Sequence, residues 1–69
     1  MKKYAVAIAT CGGEVFISFI DGTDKFDALV KYAKKEEYNF SPDDYYSLDE
    51  LKDLFGDYNQ SVEIKEILG

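Results

Sequence analysis

Apolar side chains are almost continuous near the start of this 69-residue chain, recur with a helical period in the middle and alternate with polar ones near its end. Residues 3–10 and 14–20 are rich in β-branched and aromatic side chains, which is typical of β-strands. The segment Cys11-Gly12-Gly13 joins the two runs, and glycines tolerate the positive φ angles that a tight turn requires. The pattern predicts a β-hairpin with Gly12-Gly13 as its turn.

This turn also determines which side chains share a face of the hairpin, because side chains alternate along a strand. Neither predicted face is polar, although the wet face of an antiparallel sheet normally is. We expect the helices to cover one face, and a second copy of the chain, a partner protein or the loop at 38–46 to cover the other. One predicted face carries Tyr4, Val6, Ile8, Val15, Ile17 and Phe19, and the other carries Ala5, Ala7, Ala9, Phe16, Ser18 and Ile20.

A first helix is predicted after the hairpin, ending at about residue 37. Its apolar positions recur with the i, i+3, i+4, i+7 spacing of one helix face, and Thr23 or Asp24 can accept the free amide protons of the first turn. Acidic residues lie early in this segment and lysines late, as the helix dipole favours. The apolar positions are Phe26, Leu29, Val30 and Ala33.

A second helix follows a loop at 38–46, which contains the single proline, Pro42. Ser47-Leu48-Asp49-Glu50 matches a capping box, in which the serine caps the amide three residues on and Glu50 reaches back. Gly56 suits a left-handed helix end. Polar and apolar residues alternate over 61–65 and predict a strand that continues to about Leu68. The order ββααβ predicts one α+β domain over residues 1–69: a small three-stranded sheet with two helices packed on one face.

Composition excludes several classes of function. The chain has no His and one Cys, which excludes a zinc finger, a disulfide framework and a Cys–His dyad. We interpret Cys11 as a small turn residue. The segment Phe19-Ile20-Asp21-Gly22-Thr23 resembles the end of a phosphatase motif, but Phe19 stands where the nucleophilic Asp would be. We therefore expect a non-enzyme that needs no cofactor and no metal.

Charge is concentrated towards the end of the chain. The chain has 8 Lys and Arg against 14 Asp and Glu, a net charge of −6, and residues 38–69 alone account for that value. Such a surface does not favour direct contact with nucleic acid or with an anionic membrane. Asp49, Asp53 and Asp57 recur every four residues, so a long enough helix places them on one ridge.

Two interpretations of this acidic segment are open. It is either a solvated face that keeps a small domain soluble or a surface that presents carboxylates to a basic protein. The tyrosines among these acids, including Tyr38, either cover the edge of the core or add contact area at an interface. The candidate partner-binding residues are Asp43, Asp44, Tyr45, Tyr46, Asp49, Glu50, Asp53, Asp57 and Tyr58.

These features favour a small acidic protein-binding module. Phages and mobile elements use such proteins, of anti-CRISPR or other anti-defence type, to block nucleic-acid enzymes, because carboxylates imitate phosphates in a basic groove. The expected partner is therefore a basic surface, that of a nucleic-acid-binding protein. The start of the chain looks like a lipoprotein signal, but its apolar run is short, and nothing reaches membrane-spanning length. We expect a cytoplasmic protein.

An alternative is a homodimeric regulatory protein. The start Met1-Lys2-Lys3-Tyr4-Ala5-Val6, the hairpin and the following helix resemble small HicB-type antitoxins over about half the chain. The third strand expected before the helix in that family is missing here. Without a DNA-binding tail or basic patch, such a protein would act only through protein contact. The apolar second face of the sheet is the candidate dimer interface.

Overall fold

The computed structural model describes residues 1–67, which form a three-stranded antiparallel sheet and two α-helices in the order ββααβ. Both helices pack against the sheet, so the predicted small α+β fold is confirmed. The central strand is β1, and the sheet order is β2-β1-β3. The predicted strand end at residue 68 lies outside the described residues. The elements are β1 (Lys2–Thr10), β2 (Val15–Gly22), α1 (Lys25–Lys35), α2 (Leu48–Gly56) and β3 (Gln60–Ile67).

The core lies between the sheet and the helices. Val6 on the central strand and Phe55 on α2 are fully buried, as is Leu29 on α1. Burial follows the period of each element, two residues along β1 and about 3.6 along the helices. The buried set is Tyr4, Val6, Ile8, Ala28, Leu29, Tyr32, Ala33, Leu51, Leu54, Phe55, Val62 and Ile64.

The hairpin register differs by one residue from the predicted one. The turn has three residues, Cys11 to Gly13, and is closed by the Thr10 N–H, which donates to the Glu14 carbonyl at 2.8 Å. Gly13 has a φ of 87°, the left-handed position of a three-residue turn that ends in a bulge. Since side chains alternate along a strand, this slip moves every side chain of β2 to the opposite face.

The predicted distribution of β2 side chains over the two faces is therefore wrong. Phe16, Ser18 and Ile20 lie on the helix-covered face, because they pair with Ile8, Val6 and Tyr4. The outer face instead carries Val15, Ile17, Phe19, Ala5, Ala7 and Ala9.

Both helices begin at the predicted type of cap. Asp24 accepts the Asp27 N–H at 2.8 Å, and Ser47 accepts the Glu50 N–H at 3.2 Å. The Asp27 carboxylate in turn accepts the Thr23 N–H at 2.9 Å, so the first turn of α1 is closed in both directions. These side chains satisfy amides that the helix itself leaves without partners.

The helix ends are less well predicted. Helix α1 ends at Lys35, and Glu37 just beyond it takes a left-handed φ of 61°. Gly56 is the last residue of α2 and is not the left-handed end; that conformation falls to Asn59, with a φ of 58°. Asn tolerates this region because its short polar side chain can hydrogen-bond locally.

Candidate protein-binding surfaces

The predicted acidic residues lie along one helix and the segment that leads into it. Asp49 and Asp53 are one turn apart on the side of α2 opposite the buried Leu51 and Phe55. Asp43 and Asp44 lie in a 3₁₀ turn (Pro42–Asp44) before the helix. Glu50 lies in α2 next to Asp49, and Asp57 caps the C-terminal end. All six are exposed. We call this set the acidic face: Asp43, Asp44, Asp49, Glu50, Asp53 and Asp57.

The acidic face is not neutralised by neighbouring lysines. Over the described residues, the three ion pairs are Lys2–Glu66, Lys31–Asp27 and Lys52–Glu63, and none includes a member of the face. Lys52, which lies on α2 itself, directs its ammonium to Glu63 on β3 at 3.8 Å. The carboxylates therefore remain available to an external cation.

The acids of helix α2 lie at both of its ends, where they have opposite effects on its stability. Asp49 and Glu50 lie in its first turn, where the helix dipole favours negative charge. Asp53 and Asp57 lie at its C-terminal end, where the dipole disfavours negative charge, and the last turn holds no basic residue. Acids at this end therefore weaken the helix slightly.

The tyrosines near the acidic face divide into two groups. Tyr38 belongs to the core edge, because its ring lies 4.7 Å from that of Phe55 and its hydroxyl donates to Gln60 at 2.6 Å. Tyr45 also packs against the core. Tyr58 is partly exposed, and Tyr46 is 85% exposed. Tyr46 is thus the aromatic side chain most available to a partner.

A second surface is formed by the outer face of the sheet. Val15, Ile17 and Phe19 on β2 are each just over 60% exposed. They lie beside the small side chains of β1, while the β3 side of the same face carries charged residues such as Glu63 and Lys65. The loop at 38–46 does not cover this face, contrary to one expectation, since Val15, Ile17 and Phe19 stay exposed. Its residues Tyr38, Phe40 and Tyr45 pack on the core instead. We call Val15, Ile17 and Phe19 the outer row.

An open cleft of about 400 Å³ lies beside β2 on the helix side of the sheet. Its walls combine apolar and polar groups. Burial raises the pKa of Tyr32 and Tyr38 in these walls, and the negative charge of Glu36 adds to the effect. Sequence patterns do not reveal this cleft, since its residues come from separate elements. It is lined by Ile8, Phe16, Ile17, Ser18, Tyr32, Glu36, Tyr38 and Gln60.

Among residues 1–67, no group of three or more His, Cys, Asp or Glu is arranged to hold a metal ion. Cys11 is an exposed free thiol in the hairpin turn. In the described part of the chain, no helix has the length and apolar character to cross a membrane.

Comparison of the chain with family models, curated proteins and solved structures finds no match in any of the three. The half-chain resemblance to HicB-type antitoxins therefore stays a prediction. Function has to be inferred from the acidic face, the outer row and the cleft.

Proposed function

We propose that this protein is a non-enzymatic binding module whose acidic face binds a basic surface of another protein. One observation carries the proposal: six exposed carboxylates follow one helix and its approach, and none is paired with a lysine in the described range. Unpaired surface charges of one sign accelerate association with a complementary surface and select against partners of like charge.

The position of the acids supports binding over simple solubility. Any exposed site can supply charge for solubility, but Asp53 and Asp57 lie where the dipole of α2 opposes them. Asp49 and Asp53 also repel each other at i, i+4 spacing, by a few tenths of a kcal/mol. Residues that weaken their own helix are expected where a partner compensates for them.

The concrete form of the proposal is a cytoplasmic inhibitor of a nucleic-acid-binding protein. Carboxylates spaced along an elongated face can occupy a groove that otherwise binds phosphates. Tyr46, exposed beside these acids, adds apolar area and a hydroxyl to the contact. A phage or mobile-element origin, of anti-CRISPR or anti-defence type, fits this mode of action by analogy of class.

The test uses charge reversal at the C-terminal end of α2. A tagged form of the protein captures its partner from its native host, and the purified partner is then titrated with wild type and with Asp53→Lys/Asp57→Lys. We expect the variant to bind at least tenfold more weakly and with a smaller salt dependence. We also expect it to unfold at a higher temperature, because lysines suit a helix C-terminus. Duplex DNA should compete with the wild type for the partner.

The matched control is Glu14→Lys/Glu37→Lys, which alters two exposed acids away from the acidic face. Each acid-to-lysine change adds two positive charges, so both double variants move from a net charge of −6 to −2. The control should keep wild-type affinity. If both double variants bound the partner equally weakly, overall charge alone would explain the loss. If Asp53→Lys/Asp57→Lys kept wild-type affinity, the acidic face would not be the binding surface.

A homodimeric regulatory protein is the second candidate function. The outer row favours it, because three large apolar side chains exposed side by side on one strand are typical of an interaction surface. Acting through protein contact, such a protein would expose its acidic faces while its sheets associate. A regulator whose function requires the dimer should already be dimeric at low micromolar concentration, so a monomer seen there by light scattering counts against this candidate.

A further inference from the structure

We propose that two copies of this chain associate through the free edge of β2, antiparallel, with Ile17 opposite Ile17 of the second copy. The result is a continuous six-stranded sheet that carries both pairs of helices on one side. The proposal is independent of the acidic face, since α2 packs over β3 at the other end of the sheet.

The β2 edge lacks the usual protection against strand pairing. Natural edge strands are blunted by lysines, prolines, bulges or a covering element. From Val15 to Ile20, β2 contains no charged residue and no proline, and it is regularly paired with β1. The opposite edge strand, β3, carries Glu63, Lys65 and Glu66. Pairing is therefore expected at β2 and disfavoured at β3.

The backbone of the outer row faces this free edge. The Thr10 N–H donates to the Glu14 carbonyl, so these two residues form a hydrogen-bonded pair at the end of the β1–β2 ladder. Pair types alternate along an antiparallel ladder, so Val15, Ile17 and Phe19 belong to non-hydrogen-bonded pairs with β1. Their N–H and C=O groups therefore point away from β1. The same residues that expose apolar side chains also expose unused hydrogen-bonding groups.

Twofold symmetry restricts the register of the new pair. Side chains alternate along a strand, so outer-row residues of the two copies lie opposite each other only in some registers. These are the registers in which the twofold axis, perpendicular to the sheet, relates a residue to the same residue of the second copy directly opposite. With the axis at Ile17, Val15 lies opposite Phe19 of the second copy, so the whole outer row pairs with itself. In this register Glu14 lies opposite Ile20 of the second copy, and Asp21 lies opposite Gly13 of the second copy. No two like charges are opposed, although the chain is strongly acidic.

The helix side of the sheet fits the same register. Phe16, which is 52% exposed, lies opposite Ser18 of the second copy. Ser18 is part of the cleft wall, together with Tyr32 and Glu36. Each Phe16 ring is thus brought to the mouth of the other copy's cleft. A single register pairs the outer row with itself and also places an exposed ring at the cleft.

The exposed area indicates a weak dimer. A large aromatic side chain buries roughly 150–250 Å² when enclosed, so the four exposed apolar residues of β2 contribute on the order of 100 Å² each. With the strand backbone added, the interface lies at the small end of specific interfaces, which bury about 800 Å² per partner. We expect dissociation in the micromolar range.

Cysteine cross-linking tests the register. In a Cys11→Ser background, Ile17→Cys places two thiols across the axis, and Cα atoms of a hydrogen-bonded pair lie about 5.5 Å apart, within disulfide range. The matched variant Val15→Cys places its thiols four residues apart along the strands, about 13 Å. We expect a disulfide-linked dimer from the first variant and none from the second under mild oxidation. Equal linking of both would overturn the register.

Sedimentation tests the interface itself without relying on a new bond. The wild type should pass from monomer to dimer as its concentration rises from about 10 to about 500 µM. Ile17→Lys, at a position 63% exposed in the monomer, should raise the dissociation constant at least tenfold while circular dichroism stays unchanged. Tyr46→Lys, with the same charge change on α2's side, should dimerise as the wild type does. A wild type that stays monomeric throughout, or equal weakening by both lysines, overturns the proposal.

Discussion

Gly22 ends β2 where Ala28 of α1 packs tightly against it. A Cβ atom added there would lie 2.8 Å from backbone and side-chain atoms of Ala28, closer than real Cβ atoms approach. Ala28 is itself fully buried, so neither side can move away freely. The sequence feature that looked like the end of a phosphatase motif, Asp21-Gly22-Thr23, therefore has a packing explanation.

We predict that Gly22→Ala destabilises the fold by about 1–3 kcal/mol, the usual cost of forcing extra atoms into a packed core. The control is Gly12→Ala, because a Cβ there would meet only the Thr10 hydroxyl at 3.8 Å. Urea denaturation of both variants measures the difference in the free energy of unfolding. Equal stability of the two variants would contradict the close approach of α1 to β2.

Single residues also show why the hairpin register was mispredicted. Glycines at 12 and 13 permit both a two-residue and a three-residue turn, and the two turns differ by one position in β2. Only Gly13 takes a positive φ among the glycines described, which selects the longer turn. Composition does not distinguish these turns, because both strands are apolar on both faces. A two-residue turn would place the outer row on the face of Tyr4, Val6 and Ile8, which lies in the core.

At the scale of elements, the start of α1 depends on a charged side chain. The Asp27 carboxylate accepts the Thr23 N–H at 2.9 Å and lies 3.0 Å from the Lys31 ammonium. The Thr23 hydrogen bond first, and Lys31 second, lower the pKa of Asp27 below its ordinary value of 3.8. A carboxyl group with a lowered folded-state pKa stabilises the fold above its unfolded pKa, and that contribution is lost as the pH falls through the folded value.

We predict that Asp27→Asn lowers the urea midpoint at neutral pH and that its difference from the wild type shrinks as the pH falls below 3.8. The comparison variant is Asp21→Asn, an exposed carboxylate on β2 outside the α1 cap. Its midpoint should stay near the wild-type value at neutral pH. If the difference in urea midpoint between Asp27→Asn and wild type stayed constant across the acid range, the carboxylate charge would not contribute to stability.

Elements were predictable where one short stretch of sequence determines them. The caps at Asp24 and Ser47 follow from local hydrogen bonding, and the helices follow from their apolar period. The placement of Asp49 and Asp53 on a solvent-facing ridge follows from the same period. The ends of both helices were less predictable, because left-handed residues there are Glu37 and Asn59 instead of glycine. The cleft and the free edge of β2 depend on contacts between distant segments.

At the scale of the whole molecule, charge and apolar surface lie at opposite ends of the sheet. The acidic face lies on α2 and its approach, over β3, and the outer row lies on β2. The molecule measures 32 × 28 × 19 Å, so the two surfaces can be occupied at the same time. Dimerisation through β2 would place two acidic faces at the far ends of the six-stranded sheet, making the assembly bivalent towards a basic partner.

This separation predicts opposite salt dependences for the two associations. Each chain has a net charge of −6, so two copies repel while their apolar rows attract. The Debye length falls from about 30 Å at 0.01 M salt, close to the long axis of the molecule, to about 8 Å at 0.15 M. Salt should therefore strengthen dimerisation through β2 and weaken binding of the acidic face to a basic protein. Sedimentation and partner titration over this range measure both, and parallel trends would mean that the same surface serves both associations.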